Sequence, residues 1–450
     1  MSLFNQKRLA EKVFKIEEDK IRRGWYSDKY FENNVKILET LSKEGYVFQG
    51  KSDIQDVVDC SQIESGDVIT EMQVFTRRKP FSIVAGVDEA LAILKKCTGY
   101  YDDNGKFVNM YHTLEVEAVQ DGTCVSYDGN PLVVQPVLKI RGIYRYFGKL
   151  ETVLLGVIAE PTRIATNVFN VLVASRDKEV LFFPARFTHY KMQAVHGYAY
   201  SLAIQAYNEQ FGGKKGIFIS TDGQGDYWGA EGMGTVSHAT IATFFGDTTE
   251  TMMQFSRIIP ADIARVALVD FHNDCCAEST QIMTSMFEKY LTLYKSGELE
   301  EAKKYKLFSV RPDTSGNMID QSIDTAMPDY LVGGVSPKLV KNIRKALDTA
   351  YLDWGLAGDD LILAKQWCED VKIIVTGGFN SAKINEFERN EVPVDFYGVG
   401  SSLLENSSTL GTNNDFTADI VRVKINDQWY PLSKSGRGAC ANPNLERIQG

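Results

Sequence analysis

The stretch VKIIVTGGFNSAKINEFERNEVPVDFYGVGSSLL, Val371 to Leu404, decides the fold. Two apolar runs, KIIV and VDFY, each stop at a glycine-bearing turn, and the intervening SAKINEFERN has helical spacing of Ile384 and Phe387. The order is strand, loop, helix, strand, loop. Gly377, Gly378, Gly398 and Gly400 leave backbone N–H groups uncovered at the strand ends, and Ser401 and Ser402 add hydroxyl donors where another helix can begin. Free amides and a helix N-terminus both favour an anion. One such turn is an ordinary βα connection. Two in succession, closing a βα series, resemble the phosphate site that α/β barrels build after their last strands. The stretch therefore predicts a phosphorylated ligand at the C-terminal mouth of an α/β barrel.

Working back from it, the chain alternates from about Phe147 onward. FGKLETVLLGVIAEPTRIATNVFNVLVASRD predicts one or two long buried helices, EVLFFP a strand, YKMQAVHGYAYSLAIQAYNEQ a helix and GIFIS a strand. After VSHATIATFFG come the strand RVALVD, the helix AESTQIMTSMFEKYLTLYKSG, the strand KYKLFSV and the helix SPKLVKNIRKALDTAYLDWG. Strands alternating with long helices predict a parallel sheet with crossover helices. Before this region, from Tyr46 to about Ile143, short β-like runs such as VITEMQVF, HTLEVEAV and PLVVQPVLKI are separated by turns at DDNG, QDGT and YDGN and interrupted by the helical VDEALAILKKC. Asn5 to Arg23 predicts a helix ending at Gly24, and Ser27 or Asp28 a cap for a helix carrying Tyr30, Phe31, Val35 and Leu38. The tail DIVRVKINDQWYPLSKSGRG returns to β texture. The expected organisation is an α+β domain over 1–146, an α/β barrel over 147–404, and a segment over 405–450 that rejoins the first domain.

Composition narrows the function. At 450 residues, 44% hydrophobic and 24% charged, the chain is globular and longer than one ordinary domain. Its 49 basic and 59 acidic residues give a net charge of −10, which argues against nucleic acid as a general partner and leaves room for a local anion site. Seven scattered cysteines without a CxxC fit reduced thiols in a cytosol and argue against zinc. MSLFNQKRLAEK lacks an apolar leader, and no apolar run approaches the roughly 18 residues of a membrane span, so a cytoplasmic protein is expected.

The chemistry-bearing residues fall at strand ends. EVLFFP runs into Ala185 and Arg186, GIFIS ends at Ser220, RVALVD ends at Asp270 with His272 and Asp274 after it, and KYKLFSV ends in Arg311, Pro312 and Asp313. A lone Asp or Arg at such a point is usually a cap or a solvated loop residue; six aligned strand ends in a parallel barrel converge on one mouth. Arginines serve phosphate or carboxylate, aspartates serve Mg²⁺ with a polyphosphate, and glycine amides serve phosphate. Pyrophosphate chemistry uses all three. His238, in GMGTVSHATIATF, reads from periodicity alone as a packed or capping residue.

Taken in order, MQVFTRR, AGVDEAL, FGKLETVLLGVIAEPTRIAT, FPAR, GTVSH, VALVD, VRPDTSGN, VTGGFN, YGVGSSL, NDFTADIV and GRG resemble the nicotinate phosphoribosyltransferases, in particular their archaeal-type branch, from about Ser27 to Asn444. The resemblance implies the irregular α/β barrel of the type II phosphoribosyltransferases, a β-rich α+β domain from both termini, and an active site shared across a homodimer. It implies transfer of phosphoribosyl from phosphoribosyl pyrophosphate to nicotinate, coupled to ATP hydrolysis, with Mg²⁺ as cofactor. It further implies that His238 is the histidine ATP phosphorylates, and that Phe183 and Arg186 hold the pyridine ring and its substituent. Tyr30 is implied to stack on the ring from the partner subunit, Arg311 and Asp313 to contact phosphate and ribose with Asp313 as metal ligand, and Ser220 to line the substrate site. Gly377, Gly378, Gly400 and Ser401 match the 5′-phosphate cradle, and Asp270 matches the family's carboxylate. Pro184 and Phe187 depart from the family's glycine and second arginine. Asp222 stands near the point where nicotinamide-using relatives carry an aspartate. Nicotinamide or another base as acceptor, and a non-catalytic phosphoribosyl pyrophosphate or nucleotide sensor, are the alternative readings.

Overall fold

The computed structural model describes residues 8–54, 59–324 and 333–448. The chain divides into two compact units, one of residues 1–169, 198–212 and 405–450, the other of 170–197 and 213–404.

The first unit is built on a six-stranded antiparallel sheet. Ile69–Thr76 lies at its centre, between Phe416–Ile425 and Leu138–Ile143, with Gln428–Pro431, Glu115–Ala118 and Glu446–Ile448 completing it. The tail thus enters this sheet as a neighbour of its central strand. Met72, Val74, Val116, Leu138 and Ile140 pack against Val87, Leu91 and Leu94 of the helix Val87–Cys97 and against Leu150, Leu154 and Ile158 near the start of the helix Glu151–Ala174. This burial is why the boundary expected at residue 147 falls at 169: the first turns of the long helix are core to the β-rich unit. Two threonines of EPTRIAT fix the docking, because Thr162 Oγ1 accepts from Ala85 N and donates to Ala85 O while Thr166 Oγ1 accepts from Ile83 N. The helix expected over Asn5 to Arg23 lies partly outside the described residues. Its described part is a 3₁₀ turn, Glu11–Phe14, and a short helix, Glu18–Arg22, separated at Lys15 with φ 51°. Asp88 holds the preceding backbone by accepting from Leu9 N and from Arg8 Nη1, a constraint no local helical spacing reveals.

The second unit is the barrel. Its strands are β1 (Glu179–Phe182), β2 (Arg265–Leu268), β3 (Leu307–Arg311), β4 (Lys372–Val375) and β5 (Phe396–Val399), all parallel, in the spatial order β1-β5-β4-β3-β2. The last strand therefore pairs with the first, which is how a ring closes. GIFIS, expected as a strand, joins β1 through the single bridge Phe182–Ile219 and Phe182 N donating to Phe218 O. Side chains hold its two ends: the Glu179 carboxylate takes Gly216 N, and Gln224 Oε1 takes Ser220 N and the following Thr221 N. Leu181, Phe183, Phe218, Val266, Ile374 and Phe396 fill one interior, so the wall between GIFIS and β2 is joined by side chains.

Helices α1 (His238–Thr243), α2 (Cys275–Lys295), α3 (Pro337–Thr349) and α4 (Ser381–Arg389) follow strand ends, capped by Ser237, Asp274, Ser336 and Asn380 through their own side-chain oxygens. Arg265 of β2 is fully buried, and its guanidinium donates to the carbonyls of Lys304, Pro260, Ile263, Ser256 and Ile259. Arg265→Met keeps the apolar stem but orphans five acceptors, and is expected to cost at least about 3 kcal/mol. Chemical unfolding checks this; a loss below about 1 kcal/mol would contradict it.

Candidate active site

The C-terminal ends of the barrel strands carry a connected set of polar groups. After β2, the Asp270 carboxylate meets His238 at the start of α1, Oδ1 to Nε2 at 2.9 Å. Opposite an ionised carboxylate, which can only accept, the tautomer that fits is Nε2–H with the lone pair on Nδ1. The Asp270 side chain is nearly buried, and His238 is half exposed. Burial pushes the Asp270 carboxyl above its usual range, His238 opposes this, and the nearby Asp313 carboxylate adds to it.

Arg311, at the end of β3, donates through Nη2 to Val236 O at 3.3 Å, tying β3 to the segment that enters α1. Its Nε has no partner among the described residues. Burial depresses its pKa, while Asp313 and Asp270 raise it and Arg186 acts with burial. Asp313 is oriented by Thr376, whose hydroxyl donates to Oδ1 at 2.7 Å. Thr376 directly follows β4, and the next two residues are the exposed Gly377 and Gly378 at φ 91° and 71°. A Cβ on Gly377 would lie 3.5 Å from Asp313 Oδ1, whereas one on Gly378 would meet nothing within 4 Å. The carboxylate and the open glycine turn are therefore immediate neighbours, and the turn faces open space.

β5 brings in the other side. Phe183 N donates to Val399 O, and Gly398 leaves room for the Phe183 ring, which a Cβ there would approach to 3.0 Å. Gly400 does the same for Phe187, whose ring would lie 2.7 Å from a Cβ. Phe187 carries the Arg186 guanidinium 5.1 Å from its ring centre. Pro184, in the family's glycine position, opens the turn Ala185–Phe187 at φ −85° and ψ 2°, a φ close to the one its ring fixes. Ser401 is exposed at the start of the turn Ser401–Leu404, and Ser402 Oγ donates to Phe379 O, linking the two glycine turns.

Phe183, Arg186, His238, Asp270, Arg311, Asp313, Gly377, Gly378, Gly400 and Ser401 thus lie along one edge of one unit. Ser220 belongs to it as well, but its hydroxyl donates to Gln224 Oε1. Asp222 Oδ1 accepts from Gly232 N at 2.7 Å and closes its own loop. Tyr30 belongs to the first unit, on the helix Lys29–Glu44, with its ring exposed. Sequence reading missed Thr376, Gln224 and Lys383. The threonine directly before GG was the available signal for the first.

Residues 56–162 match the family model described as quinolinate phosphoribosyl transferase, N-terminal domain. The structure is similar to that of a nicotinate-nucleotide pyrophosphorylase from Pyrococcus furiosus, with a TM-score of 0.61 and 23% identity over 94% of this chain and 80% of that one. The chain has the type II phosphoribosyltransferase fold. Human nicotinic acid phosphoribosyltransferase gives a TM-score of 0.49 at 14% identity, over 88% of this chain and 74% of that one. The nicotinate-nucleotide pyrophosphorylase of Francisella tularensis gives 0.44 at 13%, over 90% and 98%. No curated protein matches the sequence. Among the described residues no helix is long and apolar enough to cross a membrane.

Because the folded state raises the Asp270 pKa, its protonated form contributes stability that is complete below the ordinary carboxylate range and lost as pH rises through the raised value. Asp270→Asn can still accept from His238 and carries no buried charge. This variant of the phosphoribosyltransferase fold is expected to melt at or above the parent temperature at pH 7, with the advantage shrinking towards pH 4. A lower melting temperature at pH 7 would contradict this.

Proposed function

We propose that the chain is a nicotinate phosphoribosyltransferase of NAD biosynthesis, with phosphoribosyl pyrophosphate as donor and ATP as co-substrate. The observation that carries this reading is the Thr376 bridge between Asp313 and the glycine turn. A carboxylate for ribose hydroxyls and a cradle for a 5′-phosphate stand side by side, as one ribose 5-phosphate requires. Arg311, whose buried Nε has no partner among the described residues, is assigned to the pyrophosphate.

Transfer forms a bond from the pyridine nitrogen to the anomeric carbon and breaks the bond to pyrophosphate, so negative charge grows on the leaving oxygen. Arg311 stabilises that charge, and a carboxylate cradle for the ribose holds the anomeric carbon in line. Phe183 and Tyr30, the latter from a second subunit, are assigned to the two ring faces, and Arg186 to the carboxylate. The two neighbouring carboxylates of Asp270 and Asp313 fit a divalent cation, which would offset the burial that chiefly raises Asp270 and the smaller contribution of Asp313. Mg²⁺ there would be held by one or two carboxylates and by substrate phosphates. Bound there, Mg²⁺ supplies charge neutralisation of pyrophosphate. His238 Nδ1, its lone pair fixed by the Asp270 bond, takes the γ-phosphoryl group of ATP as ADP leaves.

The base is the finer question. Asp222 spends Oδ1 on Gly232 of its own loop, while its charge and second oxygen keep nicotinamide as the alternative acceptor. The family-model match over 56–162 favours quinolinate as a second reading. Two carboxylates call for two cations, and Phe187 stands beside Arg186 where a second one would serve, so nicotinate is preferred. The test is pyrophosphate release with nicotinate and Mg²⁺, with and without ATP, in the parent chain and two variants. ATP is expected to raise the parent rate; His238→Ala should keep a basal rate and lose the rise. Tyr30→Ala should raise KM for nicotinate about tenfold. Equal ATP stimulation in His238→Ala would remove that histidine from its role.

A further inference from the structure

Lys383 lies in the first turn of α4, directly after the glycine turn. Its backbone N–H is capped by Asn380 Oδ1 at 2.9 Å, and its side chain reaches back so that Nζ donates to Gly377 O at 3.3 Å. The ammonium sits 4.3 Å above the centre of the buried Phe379 ring, and Phe379 O accepts from Ser402 of the second glycine turn. The side chain is half-buried and makes no ion pair among the described residues; the nearest acid acting on it is Glu386. Burial lowers its pKa.

A partly desolvated cation without a counter-charge is costly, and the N-terminal end of a helix is the least favourable place for one. The uncovered amides of Gly377 and Gly378 add positive potential from the same side. Three sources of positive potential converge here, and among the described residues no acid forms an ion pair with the ammonium. We propose that Lys383 is a phosphate-binding residue whose missing counter-charge is the phosphate monoester of a ribose 5-phosphate moiety seated on the two glycine turns. The assignment rests on the transferase reading given above. Phe379 aligns the stem, and the ammonium and the turn amides share the phosphate oxygens.

The test uses the full chain and titrates ribose 5-phosphate calorimetrically into the parent, Lys383→Met and Lys383→Arg. The methionine variant is expected to bind on the order of 10- to 100-fold more weakly, as for loss of one charge-assisted hydrogen bond. The arginine variant should recover most of the affinity. Without ligand, Lys383→Met should melt above the parent, because an unbalanced charge has gone; a residue that serves packing alone would lower the melting temperature. Equal affinity in parent and Lys383→Met would overturn the assignment and leave the transferase reading standing. A parent chain that does not bind ribose 5-phosphate would overturn both.

Discussion

The pairing of the last barrel strand with the first is the constraint on which the site depends. Phe396–Val399 lies in register with Glu179–Phe182, and Phe183 N continues the ladder by donating to Val399 O. Residues more than 200 positions apart are thereby fixed at hydrogen-bonding distance. Phe183 and Phe187 come to rest on Gly398 and Gly400, and Arg186 arrives beside the turns that Thr376 and Ser402 connect. Without that closure the glycine cradle and the aromatic edge would belong to opposite margins of an open sheet.

Charge is distributed along this edge in a consistent way. Carboxylates gather at the ends of β2 and β3, where burial raises Asp270 and a depressed Arg311 lies within reach of both aspartates. Positive potential gathers at the ends of β4 and β5, where the Lys383 ammonium and the glycine amides meet without an ion pair to the lysine among the described residues. Under the proposed function, a substrate with a phosphate monoester at one end, hydroxyls in the middle and a pyrophosphate at the other would meet complementary groups in that order. The mouth is costly without ligand, since it keeps buried charges that binding would balance.

Much of this was legible in the sequence because βα units report themselves through strand-ending polar residues and glycine turns. KIIVTGGFN, VDFYGVG, VALVD and VRPD all carry that pattern, and each ends at the barrel edge. What stayed hidden depended on contacts distant in sequence. The end amides of GIFIS are taken by Glu179 and Gln224 side chains, which keeps them out of the ladder. The long helix carries apolar residues throughout, so its spacing could not tell which unit its first turns would join. His238 could be linked to Asp270 only once α1 and β2 were folded side by side. Lys383 looks like any exposed helix lysine until the ring of Phe379 and the Gly377 carbonyl are seen around it.

The central claim is that this mouth joins a pyridine carboxylate to a ribose 5-phosphate. It is tested most directly by incubating the chain with phosphoribosyl pyrophosphate, Mg²⁺, ATP and an equimolar mixture of nicotinate, nicotinamide and quinolinate, and identifying the nucleotide by phosphorus and proton NMR. The account expects nicotinate mononucleotide as the dominant product, with one pyrophosphate released for each nucleotide formed. Phosphoribosyl pyrophosphate that remains intact, with no nucleotide from any of the three bases, would contradict it.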